Sequence, residues 1–331
     1  MSNDKSGRKK LVTTLVSIII LLIGSWLGIN LSGIIPEQGQ QEQPSNSSTQ
    51  PSDNTANVQT AEGELIVYML DVGQADSFLL VQDGETALID CGTRSTGKDV
   101  VQELKSLGID KLDYVFGTHP HDDHMGGMYD VITNFEVGTI ILPEVKAGEV
   151  TTNWYMKLMQ EIKTGGYELK YATLGEIYNL GNATMKVIGP ISEPKDNLNN
   201  YSTVMKVSFG EMDLIMTGDA EIEVEEEILK SGENIDAEIL KVGHHGSDTS
   251  TSDEFLNAIT PEYALISAKV GNKYDHPIKS TMDKLKENDI EVYRTDENGT
   301  VVVTITSDDV DFSCEPGDYL SGIELEEREN Q

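Results

Sequence analysis

Two residue types that often define a fold or a site are scarce in this chain. Only two of its 331 residues are cysteine, Cys91 and Cys314, so a framework of disulfides is excluded. One bridge is possible in an oxidising compartment, and the sequence leaves open whether the two residues meet. Only six residues are histidine, and all six fall in three short segments between positions 119 and 276.

Basic residues are also few. The chain has 24 basic and 57 acidic residues, for a net charge of −33. Almost all of this excess falls on residues 64–331, because residues 1–63 hold four basic and five acidic residues. A surface this acidic repels polyanions at long range. It excludes a protein that coats nucleic acid, but not a nuclease whose site is locally positive.

The N-terminal region has the pattern of a membrane anchor. Residues 1–10 are basic, and residues 11–35 contain no charged residue. A helix of that length spans roughly 37 Å, more than the bilayer's hydrocarbon core of about 30 Å. We therefore expect one transmembrane helix, with the basic end in the cytoplasm and the body outside. The competing interpretation is a cleaved signal peptide and a secreted body, although no Ala-x-Ala-like site follows.

The rest of the chain divides by composition. Residues 36–63 are rich in Gln, Ser, Asn and Pro and have almost no large apolar residues, which predicts a flexible tether. Residues 64–312 are expected to form the folded domain. Residues 313–331 are an acidic tail that is either disordered or a short terminal helix.

Short apolar runs in the body alternate with helical patterns, which indicates a layered α/β fold with the site on loops at strand ends. Strands are predicted at 65–71, 77–82, 86–90, 114–117, 139–143, 183–189, 203–210, 213–219, 238–243 and 263–268. Helices are predicted at 97–107, 151–164, 221–231, 251–258 and 278–288.

The strongest motif is the segment HPHDDH that follows the strand at 114–117. It contains His119, His121, Asp123 and His124, and imidazole and carboxylate are ligands for borderline divalent metals. These are too many ligands for one ion to take from a single loop, so the spacing indicates a binuclear centre. The alternative is a solvated polar turn, which the preceding apolar strand and the following Gly-Gly pair disfavour.

Three further features complete the candidate site. Asp219 ends an apolar strand and is either a bridging carboxylate or the cap of the next helix. His244 and His245 lie between glycines, which suits one metal ligand and one general acid, or else a polar turn. His276 precedes a proline and becomes a ligand candidate because the ligand count is still short.

These motifs together resemble a known family. The segment THPHDDHMGG resembles the HxHxDH signature of the metallo-β-lactamase superfamily. In chain order, LDVGQADS, IDCG, NNYS, TGDAE, KVGHHGS, YDHP and YRTDENG narrow the resemblance to the extracellular hydrolase domain of the ComEC competence family. The resemblance covers nearly all of residues 64–312.

The resemblance implies an αββα sandwich that binds two divalent metals, zinc or manganese, at one edge of its strands. It implies that one metal is held by His119 and His121, the other by Asp123, His124 and His276, and that Asp219 bridges them. Asp90 and Asp71 are expected to support the ligands, and His244 or His245 to donate a proton. Replacing Asp123 or Asp219 with alanine is expected to abolish turnover.

The chain departs from the family in three ways. No histidine lies between residues 125 and 243, so the first metal needs another ligand, such as His244. Ala75 replaces a glycine that is usual in the first motif. One predicted span cannot form the family's many-helix membrane channel, so this chain is not expected to form a DNA-uptake pore.

The resemblance points to hydrolysis of a phosphodiester, in DNA or a nucleotide. Five lysines near the late motifs either form a local positive track or are scattered over the surface: Lys206, Lys241, Lys269, Lys273 and Lys279. A second hypothesis is hydrolysis of a small ester, a lactone or a cell-wall phosphodiester. A third is a non-catalytic surface module that only binds a partner.

Overall fold

The structure is a computed structural model that describes residues 63–193 and 197–331. The predicted membrane segment at 11–35 and nearly all of the predicted tether lie outside the described residues. Among the residues that are described, no helix is long and apolar enough to cross a membrane.

Fifteen strands are formed by the described residues. They are β1 (Leu65–Met69), β2 (Phe78–Gln82), β3 (Glu85–Ile89), β4 (Lys111–Phe116), β5 (Glu136–Leu142), β6 (Glu168–Tyr171), β7 (Ile177–Leu180), β8 (Ala183–Gly189), β9 (Val204–Phe209), β10 (Met212–Met216), β11 (Ile239–Lys241), β12 (Tyr263–Ile266), β13 (Glu291–Arg294), β14 (Val301–Ile305) and β15 (Val310–Phe312).

The same part of the chain forms nine α-helices and two short 3₁₀ turns. The helices are α1 (Gly97–Ser106), α2 (Asp122–Met125), α3 (Met128–Ile132), α4 (Asn153–Gly165), α5 (Ile222–Ser231), α6 (Asp253–Ile259), α7 (Lys279–Glu287), α8 (Thr295–Asn298) and α9 (Gly322–Glu329). The 3₁₀ turns are Leu198–Tyr201 and Gly243–Gly246.

The strands form two mixed sheets. The first has the order β15-β14-β1-β2-β3-β4-β5-β6, and the second has the order β13-β12-β11-β10-β9-β8-β7. Strands β3 to β6 are parallel, and so are β10 to β13. The loops after β3 and β4 therefore leave the same edge of the first sheet, and those after β10, β11 and β12 leave one edge of the second.

Three apolar clusters define the layers. The central cluster joins the facing sides of both sheets, including Phe78 and Ile89 from the first and Met205 and Leu214 from the second. A second cluster packs α1, α3 and α4 on the outer side of the first sheet. A third packs α5, α6 and α7 on the outer side of the second sheet. The result is the layered α/β arrangement that was expected, with helices outside two stacked sheets.

The predicted strands and the longer helices lie close to their observed positions. Five short strands were not predicted, namely β6, β7, β13, β14 and β15. The acidic tail contains helix α9, which starts with a capping box formed by Ser321 and Glu324. Cys91 and Cys314 are both free, and Cys91 is fully buried.

Candidate metal centre

Asp90 orients the loop that carries the HPHDDH motif. It follows β3 with a left-handed backbone, at φ +59°. Its carboxylate accepts hydrogen bonds from the backbone N of Thr118 at 2.8 Å and from the Thr118 hydroxyl at 2.7 Å. Its Oδ2 also lies 2.7 Å from Nδ1 of His124. A carboxylate on Nδ1 orients the ring so that Nε2 faces the ligand cluster. These are the contacts expected of a residue that orients the loop.

Backbone contacts lock this loop to the turn after β3. The backbone N of Cys91 donates to the carbonyl of His124 at 2.7 Å, and that of Gly127 donates to the carbonyl of Gly92 at 3.1 Å. A Cβ added at Gly127 would collide with the carbonyl oxygen of Cys91. The second glycine of the motif is therefore required by close backbone approach.

Three residues predicted around the first metal lie together. Nε2 of His119 is 2.9 Å from Nδ1 of His121. Oδ2 of Asp219 is 3.8 Å from Nε2 of His119 and 3.2 Å from Nε2 of His124. Asp219 thus lies between the first and the third histidine of the motif, which is the position of a bridging carboxylate.

A second group of donors lies on the other side of Asp219. Donor atoms of Asp123, His124 and His245 are within 4.8 Å of one another. Nε2 of His245 is 4.0 Å from Oδ2 of Asp123 and 3.8 Å from Oδ1 of Asp219. Oδ1 of Asp219 therefore faces His245, whereas its Oδ2 faces His119 and His124, so His124 adjoins both groups.

Buried atoms without hydrogen-bond partners converge on these two groups. They include Nε2 of His124, Oδ1 of Asp219 and Nε2 of His245. A buried polar atom without a partner costs about 1–3 kcal/mol, so such atoms gathered in one place indicate a site that binds an ion. All three are donor atoms that divalent metals accept. The residues present therefore fit two divalent cations.

The HHGS turn supplies two histidines with different environments. His244 and His245 both have left-handed backbones, at φ +50° and +55°. His245 is buried, and its Nδ1 lies 2.9 Å from the carbonyl oxygen of Ser267. His244 is partly exposed, and its Nδ1 lies 3.0 Å from the hydroxyl of Thr249 while its Nε2 is 3.5 Å from Oδ2 of Asp219.

His276 lies beside the centre but not within either donor group. Its ring is 5.5 Å from that of His244 and 5.6 Å from that of Tyr274. Burial lowers the pKa of His276 to about 4. The structure places His245, rather than His276, next to Asp123 and His124. The role of His276 as a metal ligand stays a prediction.

The buried groups perturb one another's protonation. Burial alone lowers the pKa of His124, but the carboxylates of Asp219 and Asp90 outweigh it and hold that pKa well above its usual value. Burial, reinforced by the charge of His124, moves the pKa of His119 well below its usual range. Since a ligand nitrogen must be unprotonated, His124 has to lose a proton when a metal binds through Nε2.

Sequence reasoning missed the part that Asp76 and Lys241 play in this centre. Nζ of Lys241 lies 2.6 Å from Oδ2 of Asp76 and 3.9 Å from Oδ1 of Asp219. Oδ1 of Asp76 is 3.4 Å from Nδ1 of His245, and its Oδ2 is 3.7 Å from Nδ1 of His124. Both members of the pair are at most 2% exposed. The one available signal was a lysine within the apolar strand that became β11.

The NNYS loop occupies the space next to the first donor group. The Ser202 hydroxyl accepts a hydrogen bond from the backbone N of Asp219 at 3.0 Å and lies 3.2 Å from Nδ1 of His119. Nδ2 of Asn199 donates to Oε1 of Glu221 at 2.8 Å. This loop therefore contacts both Asp219 and the first histidine of the motif.

The role of Asp71 in supporting the ligands stays a prediction. Asp71 is exposed in the loop after β1, and its Oδ1 accepts a hydrogen bond from the backbone N of Gly73 at 3.1 Å. The side chain is thus used in a local turn. Asp76, five residues later, is the carboxylate of this motif that reaches the centre.

The five lysines do not form a continuous positive track. Three of them pair with carboxylates: Lys206 with Asp213, Lys241 with Asp76, and Lys279 with Asp283. The other two, Lys269 and Lys273, are exposed and belong to the loop between β12 and α7. Of these five lysines, the two that pair with no carboxylate among the described residues therefore lie in one loop.

Comparison with known proteins agrees with this geometry. The family model described as "Metallo-beta-lactamase superfamily" matches residues 70–268. ComE operon protein 3 of Bacillus subtilis is 32% identical over 260 residues, which are 73% of this chain and 33% of that protein. Competence protein ComA of Neisseria gonorrhoeae is 29% identical, over 72% of this chain and 32% of its own length. Recombination protein 2 of Haemophilus influenzae is 28% identical, over 73% of this chain and 29% of its own length.

The chain spans about a third of the length of these relatives. The layered fold, the two donor groups and the family match lead to one assignment. This chain belongs to the metallo-β-lactamase superfamily of metal-dependent hydrolases and is related to the ComEC-like competence proteins.

Proposed function

We propose that this chain is a binuclear-metal phosphodiesterase that acts on DNA or a nucleotide. The observation that carries the proposal is the position of His244. Its partly exposed imidazole lies 3.5 Å from the bridging Asp219, where it can protonate an oxygen that leaves a phosphorus atom. Relatedness to competence proteins supports a nucleic-acid substrate.

Each group in the centre has a distinct task. His119, His121 and Asp219 would hold one metal, and Asp123, His124, His245 and Asp219 would hold the other. When bound, two such metals lower the pKa of a water and stabilise charge that develops on the phosphate. Asp90 holds His124 in place, and Asp76 holds His245, each by a contact with Nδ1 of the histidine.

His244 is oriented for proton donation by its own neighbours. Nδ1 lies 3.0 Å from the Thr249 hydroxyl and 4.0 Å from Oε1 of Glu221. These contacts turn Nε2 towards Asp219 and the open side of the centre. A proton on Nε2 would therefore face the leaving oxygen, which is the task of a general acid.

A second candidate is hydrolysis of a small ester, a lactone or a cell-wall phosphodiester. The acidic surface favours the neutral substrates among these, the ester and the lactone, because three of the five lysines near the late motifs are neutralised by carboxylates. A neutral substrate would not be repelled by the net charge of −33. A non-catalytic binding module is disfavoured by the two donor groups that the centre retains.

The test uses the full chain in mild detergent, stripped of metal and reloaded with zinc or manganese. Substrates are plasmid, single-stranded DNA and bis(p-nitrophenyl) phosphate. Asp219→Ala and Asp123→Ala are expected to lose at least 100-fold in turnover, in line with the magnitude of metal and acid-base catalysis. Asp110→Ala is the control, because Asp110 is exposed just before β4, at the end opposite the site.

The outcomes separate the candidates. Metal-dependent cleavage of DNA that the Asp219 variant lacks supports the nuclease. Cleavage of the small diester alone supports a cell-envelope substrate. No bound metal and no turnover in the wild-type chain would contradict the enzymatic assignment and leave the binding module.

We also propose that residues 11–35 anchor the chain in the cell membrane with the hydrolase domain outside. The basic residues at 5–10 and the uncharged run at 11–35 support this topology. The centre would then meet extracellular substrates.

A further inference from the structure

The loop between β12 and α7 presents an exposed aromatic ring next to the metal centre. Asn272 builds this loop, because its Oδ1 accepts hydrogen bonds from the backbone N of Tyr274 at 3.0 Å and of His276 at 3.1 Å. Its Nδ2 donates to the carbonyl of Lys269 at 2.9 Å. The loop is therefore a fixed turn, and the Tyr274 ring is held at its outer side.

A ladder of three rings leads from this tyrosine to the bridging carboxylate. Tyr274 is 49% exposed and stacks on His276 with centroids 5.6 Å apart and planes 24° apart. His276 meets His244 edge to face at 5.5 Å, and His244 reaches Asp219. Tyr274 thus lies two rings away from the reacting position.

The same loop carries the local positive charge. Nζ of Lys273 lies 4.5 Å from the centroid of the Tyr274 ring, and Lys269 is exposed four residues earlier. Two exposed lysines therefore lie in the same short loop as the exposed tyrosine. An aromatic face with nearby ammonium groups is the usual means of binding unpaired bases and their phosphates.

We propose that Tyr274 stacks an unpaired nucleobase of the substrate and that Lys273 contacts the adjoining phosphate. A base that stacks on the ring displaces the flexible Lys273 ammonium, which then turns to the phosphate. The ladder of rings sets the distance between the stacked base and the scissile phosphate. The substrate class is therefore a single-stranded nucleic acid or a nucleotide diester, rather than duplex DNA. This inference rests on the proposed phosphodiesterase function.

The test compares substrates with and without a base, using the metal-loaded full chain. Stacking on an aromatic side chain is worth about 1–3 kcal/mol per base, which corresponds to roughly 5- to 150-fold. Tyr274→Ala is expected to lose that factor in kcat/KM on an oligothymidylate and less than about twofold on methyl p-nitrophenyl phosphate. Tyr274→Phe keeps the ring and is expected to retain the wild-type value on both.

Two matched controls come from elsewhere on the surface. Tyr171 is 45% exposed at the end of β6, and Tyr171→Ala is expected to change neither rate. Lys273→Ala is expected to reduce the slope of log affinity against log salt for the oligonucleotide by about 0.7. Lys170→Ala removes an exposed lysine from β6 and should leave the slope unchanged. Metal content is measured for every variant.

The results distinguish the base site from other roles of Tyr274. Equal losses on both substrates would overturn the proposal, because Tyr274 would then act through His276 and the metal centre. No loss on either would also overturn it. A preference for duplex over single-stranded DNA would contradict the substrate class, and faster turnover of the mononucleotide diester than of the oligomer would identify a nucleotide.

Failure of the phosphodiesterase assignment would be recognised separately. If the wild-type chain hydrolyses no diester, binding of a fluorescent oligothymidylate is measured by anisotropy. Binding that Tyr274→Ala weakens and Tyr171→Ala does not would retain the base site without catalysis. Absence of binding, or binding that is insensitive to Tyr274, would overturn it.

Discussion

At the residue scale, the pair of Asp76 and Lys241 is the least expected part of the centre. Burying two charges costs free energy that their attraction only partly restores. Lys241 offsets this cost by also donating to the carbonyl of Gly218 at 2.8 Å. The pair places Asp76 against His124 and His245, so it positions ligands from both sheets. Burial alone would raise the pKa of Asp76, but Lys241, His245 and His124 together outweigh it and keep that pKa below its usual value.

The pair can be tested by a double-mutant cycle on the metal-free chain. Lys241→Met leaves the Asp76 carboxylate buried without a partner, and we expect it to lower the free energy of unfolding by about 3–5 kcal/mol. The double variant Asp76→Asn/Lys241→Met removes both charges and should be more stable than Lys241→Met alone. Urea unfolding, followed by circular dichroism, measures the free energy of unfolding of both variants. A double variant that is no more stable than Lys241→Met would show that the two residues do not act as a pair.

A second prediction concerns which histidine completes the second donor group. His245 lies within 4.8 Å of Asp123 and His124, whereas His276 belongs to no such group among the described residues. His245→Asn is therefore expected to lose about one of two metal equivalents, and His276→Asn to retain both. Metal per chain is measured by mass spectrometry after dialysis, with circular dichroism as the check on folding. The reverse result would restore His276 as the ligand.

At the scale of single elements, helix α9 is the best defined part of the acidic tail. The Ser321 hydroxyl accepts a hydrogen bond from the backbone N of Glu324 at 3.3 Å, and the Glu324 carboxylate accepts one from the backbone N of Ser321 at 2.9 Å. Leu325 is fully buried, so the helix is held by a cap and an apolar contact. The pattern S-x-x-E predicts such a helix start. A single buried leucine, however, gives no repeating apolar pattern from which the helix itself could be predicted.

Loss of the cap is expected to weaken this helix alone. Ser321→Ala should lower the free energy of unfolding by about 1 kcal/mol and accelerate amide exchange from Gly322 to Glu329. Ser280→Ala, at an exposed position inside α7, is the matched control. It should change neither the free energy of unfolding nor the amide exchange of α9. Hydrogen exchange measured by mass spectrometry resolves the two helices. Unchanged exchange in α9 would mean that packing, rather than the cap, holds it.

The contrast between elements shows what sequence patterns can predict. Strand β2 was predicted from its sequence, in which four of the five residues are apolar, and the structure buries all five. Strand β6 is mostly exposed and has no apolar pattern to detect. In the same way, the HxHxDH loop can be recognised from the sequence because its candidate ligands lie within six consecutive residues. Asp76 and Lys241 meet across two sheets, and only folding brings them together.

At the scale of the whole molecule, the net charge and the proposed membrane anchor would determine which substrates the centre can meet. The net charge of −33 repels polyanions at distances up to a Debye length, about 8 Å at physiological salt. Close to the centre, Lys273 and Lys269 provide the opposite sign. A flexible single strand can reach that loop with one nucleotide, whereas a stiff duplex brings many phosphates against the acidic surface. The charge distribution therefore favours the same substrate class as Tyr274.

The anchor proposed for residues 11–35 can be tested without reference to activity. An aspartate at the centre of a membrane helix costs about 2.5–3.5 kcal/mol on insertion scales. Ile20→Asp/Ile23→Asp is therefore expected to move the chain out of the carbonate-washed membrane fraction, while Ile20→Leu/Ile23→Leu stays in it. Protease added to intact cells should digest the wild-type body, because the domain is expected outside. A wild-type chain found in the medium without residues 1–35 would instead identify the segment as a cleaved signal peptide.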